Sequence, residues 1–599
     1  MPSCISDEVK NVVVLGGSYG GMHTAMVLAK KLPPTHRVIL MERNTHFNHL
    51  YVFPRFLVFP GHEHKAFVPY TSIFSESPSR RRAAVLSNMK TGNMTRLEMH
   101  VDDDGSGPPI DAADAENAIV KDRLEMESAF DDKHDRKENQ IIEVHDLLKG
   151  KLRIDDEYIA NGDAKDEFCK AEPHLVLCGE VTRVSDNYVT IKQQTPECGD
   201  QMNGSLPKKS LWSLDTMEIP YTHLVYALGS HMPDPLYRNS YSKVRGVEWM
   251  KRTNHRIRES KDIVIVGGGA LGVELATDIA TKYKDKNITL IHSRQQLLPN
   301  FDIRVHEWAY KQLQKLGVKV VLGHRLSYAR GCPRGTTPEL FENYTPSQKT
   351  SPDGKILPVI ICPNEAEPGA EPLRHHIRTT KGLELECDLF LLCTGQQPNS
   401  ALMAEFSPTS VNPSTRLIRV MHTLQVMKPD DPYAASHPPG AVETCKDCDC
   451  FPDNKLAGAE SDQEDGAKNV EHFDNIYAIG DVADAFGALN AGYQAWYMGE
   501  AVAENILRDI MRQADSEDPT SKLPDGEPVP LKEFTPLPDM LKLTIGGGEV
   551  VSQGAPAPDE SLPGRPMRPT VQVAPDQEDM YIESVWKGMA LADPSDMYI

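Results

Sequence analysis

Long apolar runs are missing from this 599-residue chain. No stretch reaches the roughly 18 consecutive apolar residues that a membrane-spanning helix needs, so none is expected. Basic residues are in short supply: 64 Lys and Arg stand against 86 Asp and Glu, for a net charge of −22. That balance argues against non-specific binding to nucleic acid or to an anionic membrane, since both need clustered cations. Arg80–Arg82 is the one tight basic group, and it reads as a solvated loop. Cysteine is sparse and odd in number at 11, which fits a reducing compartment rather than a disulfide framework. The densest group, CKDCDC at 445–450, has no second CxxC or HxxxH to complete a tetrahedral site, so no metal is expected. The opening MPSCISDEVK has neither an apolar signal stretch nor an Arg-rich transit face, and Pro2 stands where N-myristoylation requires Gly. The expectation is a cytosolic protein, with peripheral contact to a membrane still compatible.

What the chain does have is two glycine turns, each at the end of an apolar strand. Residues 11–21 read NVVVLGGSYGG, and residues 262–272 read DIVIVGGGALG. A continuous apolar run suits a strand buried on both faces. In such a strand–turn–helix unit the first glycine makes the tight turn and the last lets the helix pack against the strand. The backbone N–H groups at the head of the helix then face a pyrophosphate. In the first turn those positions are Gly16 and Gly21, with Gly17 and Gly20 beside them and Ser18 where a middle glycine is usual. The helix HTAMVLAKKL and the strand RVILMER follow, ending on Glu42-Arg43. A carboxylate at that spacing bonds the ribose hydroxyls of an adenine dinucleotide. The second turn has all three glycines, Gly267, Gly269 and Gly272. Its helix carries Glu274, and its next strand ends on His292-Ser293-Arg294 instead of an acid. A carboxylate there would repel a 2′-phosphate, whereas these residues tolerate or bind one, so NADPH is as acceptable as NADH.

Around these turns the pattern is uneven. Residues 75–140 are too acidic and too poor in aromatics to bury a core, and read as a surface insertion, with a helix over 114–130 the one element to weigh. A β-meander is expected over 174–193, a strand over 222–229 and another at CDLFLLCTG (387–395). A second polar insertion covers 430–470. NIYAIGD (475–481) precedes a helix that runs to about Leu507. The Pro-rich tail after 510 still holds two apolar stretches, at 540–547 and 580–589.

The first glycine turn with Glu42, the central GxGxxG, the CTG turn ending on Gly395 and the late IYAIGD together resemble the two-dinucleotide-binding-domain flavoproteins. Within them the chain is most similar to the apoptosis-inducing-factor-like branch, also described as AMID-like or ferroptosis-suppressor-like. HFNHLYVFPRFLVFPGHEHKAFVPY (46–70) carries that likeness in Phe47, His49, Arg55, Lys65, Phe67 and Tyr70, and so do ITLIHS and SVWKGM. The resemblance spans about 10–75, 174–194, 220–325, 385–425 and 470–510, and finds no counterpart for the acidic insertions. It implies an α/β fold of two Rossmann-like domains, an FAD-binding domain interrupted by an NAD(P)H-binding domain, followed by a C-terminal segment. The boundaries expected are 1–260 and 401–510 for the FAD domain, 261–400 for the NAD(P)H domain and 511–599 for the Pro-rich segment with short ordered elements. It also implies residue roles. Asp481 bonds the FAD ribityl chain, Gly480 and Gly229 let the backbone approach, and Glu274 stands beside the nicotinamide. Leu228 departs from the usual Thr of the ATG turn.

The activity so implied is hydride transfer from NAD(P)H to FAD, with the cofactors carrying the chemistry. The helix starting near Asn490-Ala491-Gly492 would aim its positive end at the flavin. Cysteine pairs of the kind that disulfide reductases need are absent: only Cys4 precedes residue 169, and Cys332 and Cys362 are not spaced as a pair. Electrons are therefore expected to leave to an external small-molecule acceptor, a quinone or another diffusible one- or two-electron acceptor, with Leu50–Phe59 either a wall of its pocket or core under the flavin. Arg55 and Lys65 are candidate catalytic cations near the flavin ring, the alternative being that they simply cover the surface. Two other functions fit the same motifs: a redox sensor that recruits a partner through its inserts, and a reductase of an iron–sulfur carrier, which −22 disfavours. The sequence leaves the oligomeric state open.

Overall fold

The computed structural model describes residues 9–70, 73–74, 84–86, 174–192, 216–231, 241–333, 359–361, 373–394, 396–429, 471–513, 529–562 and 564–589, with 594 and 597. The possible helix at 114–130, the insertion at 430–470 with its CKDCDC group, and Gly395 lie outside these residues. The α-helices named below are, in chain order, α1 (Tyr19–Lys31), α2 (Phe53–Val58), α3 (Lys243–Glu259), α4 (Ala270–Lys282), α5 (Ile303–Lys315), α6 (Ala401–Phe406), α7 (Gly492–Gln513) and α8 (Ile582–Met589). None is long and apolar enough to cross a membrane.

Lys10–Leu15 is the hub of a seven-stranded sheet because its apolar run leaves nothing for water on either face: Val12, Val13, Val14 and Leu15 are fully buried. Strand order is Gln425–Met427, His472–Ala478, His223–Tyr226, Lys10–Leu15, His36–Glu42, Leu175–Cys178, Ala84–Leu86. All pairings are parallel except the first. The edge strand Ala84–Leu86 falls inside the range expected to be a surface insertion, so the sheet reaches further into that range than its composition indicates. Its three residues are too few to show a period. Helix α1 packs on α7 through small residues. A Cβ on Gly499 would sit 2.6 Å from Thr24 Oγ1 and 2.7 Å from Gly20 O, so glycine permits that approach. The expected meander divides: Leu175–Cys178 joins the large sheet, while Glu180–Val184, Tyr188–Lys192 and Thr216–Pro220 form a separate antiparallel sheet.

The second glycine turn opens a four-stranded parallel sheet, ordered Lys319–Val321, Asn287–Ile291, Asp262–Val266, Leu389–Leu392. A mixed sheet built on the antiparallel pair Leu326–Pro333 and Leu373–Thr379 closes over it. Val264, Val266, Ile291, Leu326, Ile377 and Phe390 share one core. Both sheets are of the doubly wound kind, which is the α/β class the two motifs imply.

The Pro-rich segment is more ordered than short elements. Leu541–Ile545, Glu549–Pro558 and Met567–Pro575 make a three-stranded antiparallel sheet, and α8 follows. Leu543, Ile545 and Val551 are buried, and Trp586 of α8 is fully buried, its Nε1–H donating to the Lys65 carbonyl at 2.9 Å.

Candidate functional site: two glycine cradles and a buried acid cluster

Register decides where the first cradle opens. Leu15 pairs with Tyr226, and Tyr226 with Ala478, so three parallel strands end side by side. The loops that follow them carry Gly16–Gly21, Ala227–Ser230 and Gly480–Asp481 to one sheet edge, the place where open α/β sheets bind ligands. Gly16 has φ +95°, and a Cβ there would collide with the Ala227 carbonyl; one on Gly21 would collide with the Gly16 carbonyl. Gly17 N–H donates to Glu42 Oε2 at 2.5 Å, and Asn44 donates to Glu42 Oε1 from its backbone at 2.9 Å and its side chain at 2.6 Å. Tyr70 Oη donates to the Gly17 carbonyl at 2.8 Å. Arg43 lies over the Tyr241 ring, 5.4 Å from its centroid. Ser18 is exposed at the head of α1 and makes no capping bond with its side chain. Gly20, one turn in, lies against the Ala495 carbonyl of α7.

Across this cradle, Asp481 Oδ2 accepts from Ser230 Oγ at 2.7 Å and from Gln396 Nε2 at 2.8 Å. Burial raises its pKa and these two bonds act against the rise. Gly480 has φ +73°, and Gly229, at φ +60°, faces open space. Helix α7 begins at Gly492, as its sequence indicates, and Tyr51 Oη accepts the Gly492 N–H at 2.8 Å. Tyr19, His49 and Tyr51 form one aromatic group, with Tyr19 Oη 3.1 Å from His49 Nδ1. Of the segment Leu50–Phe59, Leu50 and Tyr51 are about half exposed, while Phe56, Leu57, Val58 and Phe59 are core. The end of that segment is therefore core, while its first two residues are not.

The second cradle repeats the first. Val266 pairs with both Ile291 and Leu392. Gly267 has φ +124°, and a Cβ on it would lie 2.6 Å from the Cys393 carbonyl; one on Gly272 would collide with the Gly267 carbonyl. Gly269 heads α4 with open space beside it. His292 takes the place that Glu42 has in the first cradle: its Nδ1 accepts the Gly268 N–H at 3.0 Å. Burial lowers its pKa, the Gln296 backbone opposes this, and Arg294 and His306 add to it. His292 Nε2 is buried without a hydrogen bond. Arg294 is exposed. Glycines that a Cβ would jam and open helix heads make both cradles fit for dinucleotides.

Arg55 and Glu274 come together, but not on an open wall. Arg55 is fully buried in α2 and its Nε donates to Asp278 Oδ2 at 2.7 Å. Asp278 Oδ1 accepts the Gly547 N–H at 3.1 Å, and Asp576 Oδ2 lies 4.0 Å from the guanidinium. Glu274, one turn before Asp278 on α4, accepts from the Thr544 hydroxyl and backbone N–H. Burial pushes Glu274 up to about 8 and Asp278 up to about 6. Lys65 stands apart, pairing with Asp579 at 3.5 Å beside α8. The cluster thus joins α2, α4 and the C-terminal sheet, and neither Arg55 nor Lys65 covers open surface. Sequence reasoning missed Asp278, Thr544 and Asp576. Two acids four apart on an apolar helix were a usable signal for Asp278; the other two come from over 260 residues away and had none.

The pyridine nucleotide-disulphide oxidoreductase family matches residues 10–430. Among curated proteins, the chain is similar to Fe-regulated protein 8 of Mycosarcoma maydis, 29% identical over 558 residues, covering 92% of this chain and 89% of that one. It is 25% identical to ferroptosis suppressor protein 1 of Taeniopygia guttata over 390 residues, 64% and 75% of the two chains. It is 23% identical to apoptosis-inducing factor homolog B of Dictyostelium discoideum over 353 residues, 57% and 69% of the two chains.

Proposed function

The chain belongs to the pyridine nucleotide-disulphide oxidoreductase family and is an NAD(P)H-dependent flavin oxidoreductase, and we propose that it passes its electrons to a diffusible quinone. Bound in the two cradles, NAD(P)H and FAD supply the hydride transfer itself. The protein supplies placement. In this reading Glu42 holds the adenosine ribose of FAD, and Asp481, oriented by Ser230 and Gln396, holds its ribityl chain. The head of α7 contributes the positive end of a 22-residue helix beside the ring. Glu274 stays protonated at neutral pH because burial holds it there, so its carboxyl adds no negative charge toward the nicotinamide.

The observation that carries the choice of acceptor is the half-exposed pair Leu50 and Tyr51, with Tyr51 bonded to the Gly492 N–H at the head of α7. An apolar, aromatic rim suits a flat quinone ring. A dithiol route has less support. Cys178, Cys387 and Cys393 are thiols, not disulfides, and burial pushes Cys178 up to about 12 and Cys393 higher still, which disfavours the thiolate that exchange needs.

The test is anaerobic. NADPH or NADH is mixed with the yellow protein and flavin bleaching is timed, then a soluble quinone is added. Fast bleaching and fast return of colour support the proposal. A reduced protein that the quinone does not reoxidise refutes the acceptor.

A further inference from the structure

We propose that the second cradle is built for a pyridine nucleotide carrying a 2′-phosphate, and that His292 with three cations beside it selects that phosphate; this rests on reading that cradle as the NAD(P)H site. The chain contains its own comparison. In both cradles the N–H of the glycine after the turn is bonded by the residue at the end of the next strand. In the first that residue is Glu42, an acceptor for ribose hydroxyls. In the second it is an imidazole. With Nδ1 accepting from Gly268, the proton of the neutral ring sits on Nε2, which is buried and makes no hydrogen bond. A carboxylate, which would repel a phosphate, has been replaced by a ring without negative charge.

The surroundings have the same sign. Three short segments, 292–296, 322–325 and 379–382, are stitched together by backbone bonds. Gly323 N–H donates to the Arg294 carbonyl at 3.0 Å, His324 N–H to the His292 carbonyl at 2.9 Å, and Thr380 N–H to the Arg325 carbonyl at 2.8 Å. They read HSRQQ, LGHR and TTKG, with Arg294, Arg325 and Lys381 exposed and no carboxylate among them. Lys381 Nζ lies 3.1 Å from where a Cβ on Gly323 would be, which puts it on the Arg294 loop. A platform of three cations without an acid, at the strand end where the ribose of a dinucleotide rests, matches a dianion better than a hydroxyl.

The test needs no turnover. The FAD-loaded full-length protein is titrated calorimetrically with 2′,5′-ADP and, separately, with 5′-ADP. The expected result is about tenfold or tighter binding of 2′,5′-ADP. Arg294→Glu and Lys381→Glu, both on the surface, should weaken 2′,5′-ADP more than 5′-ADP and so erase that margin. His292→Glu should invert it. Equal affinities for the two probes, or tighter 5′-ADP, overturn the inference while leaving the cradle a nucleotide site. Failure of both probes to bind overturns the reading of the cradle itself.

Discussion

Replacing Glu274 with Gln tests the physical basis of the buried cluster. The wild-type carboxyl sits on α4 with Thr544 as its hydrogen-bond donor, and burial raises it from 4.5 to about 8. A carboxyl whose pKa is higher in the folded protein than in the unfolded chain binds its proton more tightly when folded. Its contribution to stability is then fully present below pH 4.5 and is lost as pH rises through 8. At about 1.4 kcal/mol per pH unit, that gap corresponds to about 5 kcal/mol over the whole range. Gln is the same size, accepts from Thr544 through its carbonyl and does not ionise. It should match the wild type at pH 5 and exceed it by several kcal/mol at pH 9. Urea titrations at saturating FAD, run at pH 5, 7 and 9, give both slopes. If the two proteins lose stability in parallel between pH 5 and 9, burial is not holding the proton on Glu274 and the reasoning fails.

Other outcomes follow from the same contacts. Asp278→Asn strands the Arg55 guanidinium in the interior and should cost about 3–5 kcal/mol, read as a lower urea midpoint. Asp579→Ala, at the partly exposed Lys65 pair, should cost under about 1 kcal/mol by the same assay. Gly272→Ala puts a methyl into the Gly267 carbonyl, so it should abolish NAD(P)H binding while the flavin absorbance stays; Gly21→Ala should do the reverse. Asp481→Ala removes the carboxylate that Ser230 and Gln396 orient, and should yield a protein that purifies with little yellow colour. A fully flavinated Asp481→Ala protein would falsify the ribityl assignment.

Both dinucleotide folds were legible because their information is local. Val12–Leu15 with Gly16 and Gly21, and Ile263–Val266 with Gly267 and Gly272, each encode strand, turn and helix within a dozen residues, and the turns require glycine wherever a Cβ would meet a carbonyl. Glu42 was legible for the same reason, through a fixed spacing along one βαβ unit. The cluster around Arg55 was not. Its members come from α2, α4 and one end of the C-terminal sheet, where the turn after Leu541–Ile545 meets the end of Met567–Pro575, so no window of sequence contains the pair Arg55–Asp278 or the pair Glu274–Thr544. Proline content also misdirected the reading of the tail. Pro556 and Pro558 lie in the strand Glu549–Pro558 and Pro569 and Pro575 in the strand Met567–Pro575, whose half-exposed outer residues do not show a clean alternation. The thin strand Ala84–Leu86 was lost to the acidic composition that follows it.

Charge counting shows why Glu274 is the acid that keeps its proton. The cluster sets one cation, Arg55, against Glu274, Asp278 and Asp576, all in a region from which water is largely excluded. Full ionisation would leave two uncompensated negative charges in low dielectric, which is unfavourable enough that a proton remains. Asp278 is the best-compensated of the pair on α4: the guanidinium lies at 2.7 Å and a backbone N–H at 3.1 Å. Glu274 has Thr544, feels Asp278 as a like charge and gains from Arg55 only at longer range. The order of the two pKa values, about 8 over about 6, is the order of their compensation. It follows that Asp278→Asn should act on Glu274 in a direction opposite to its effect on overall stability. With the neighbouring negative charge gone and Arg55 released, Glu274 should ionise at lower pH. The fall in stability between pH 5 and 9 should then be shallower in Asp278→Asn than in the wild type, although the variant is less stable throughout. An unchanged or steeper slope would mean that desolvation alone, without the Asp278 charge, sets the protonation of Glu274.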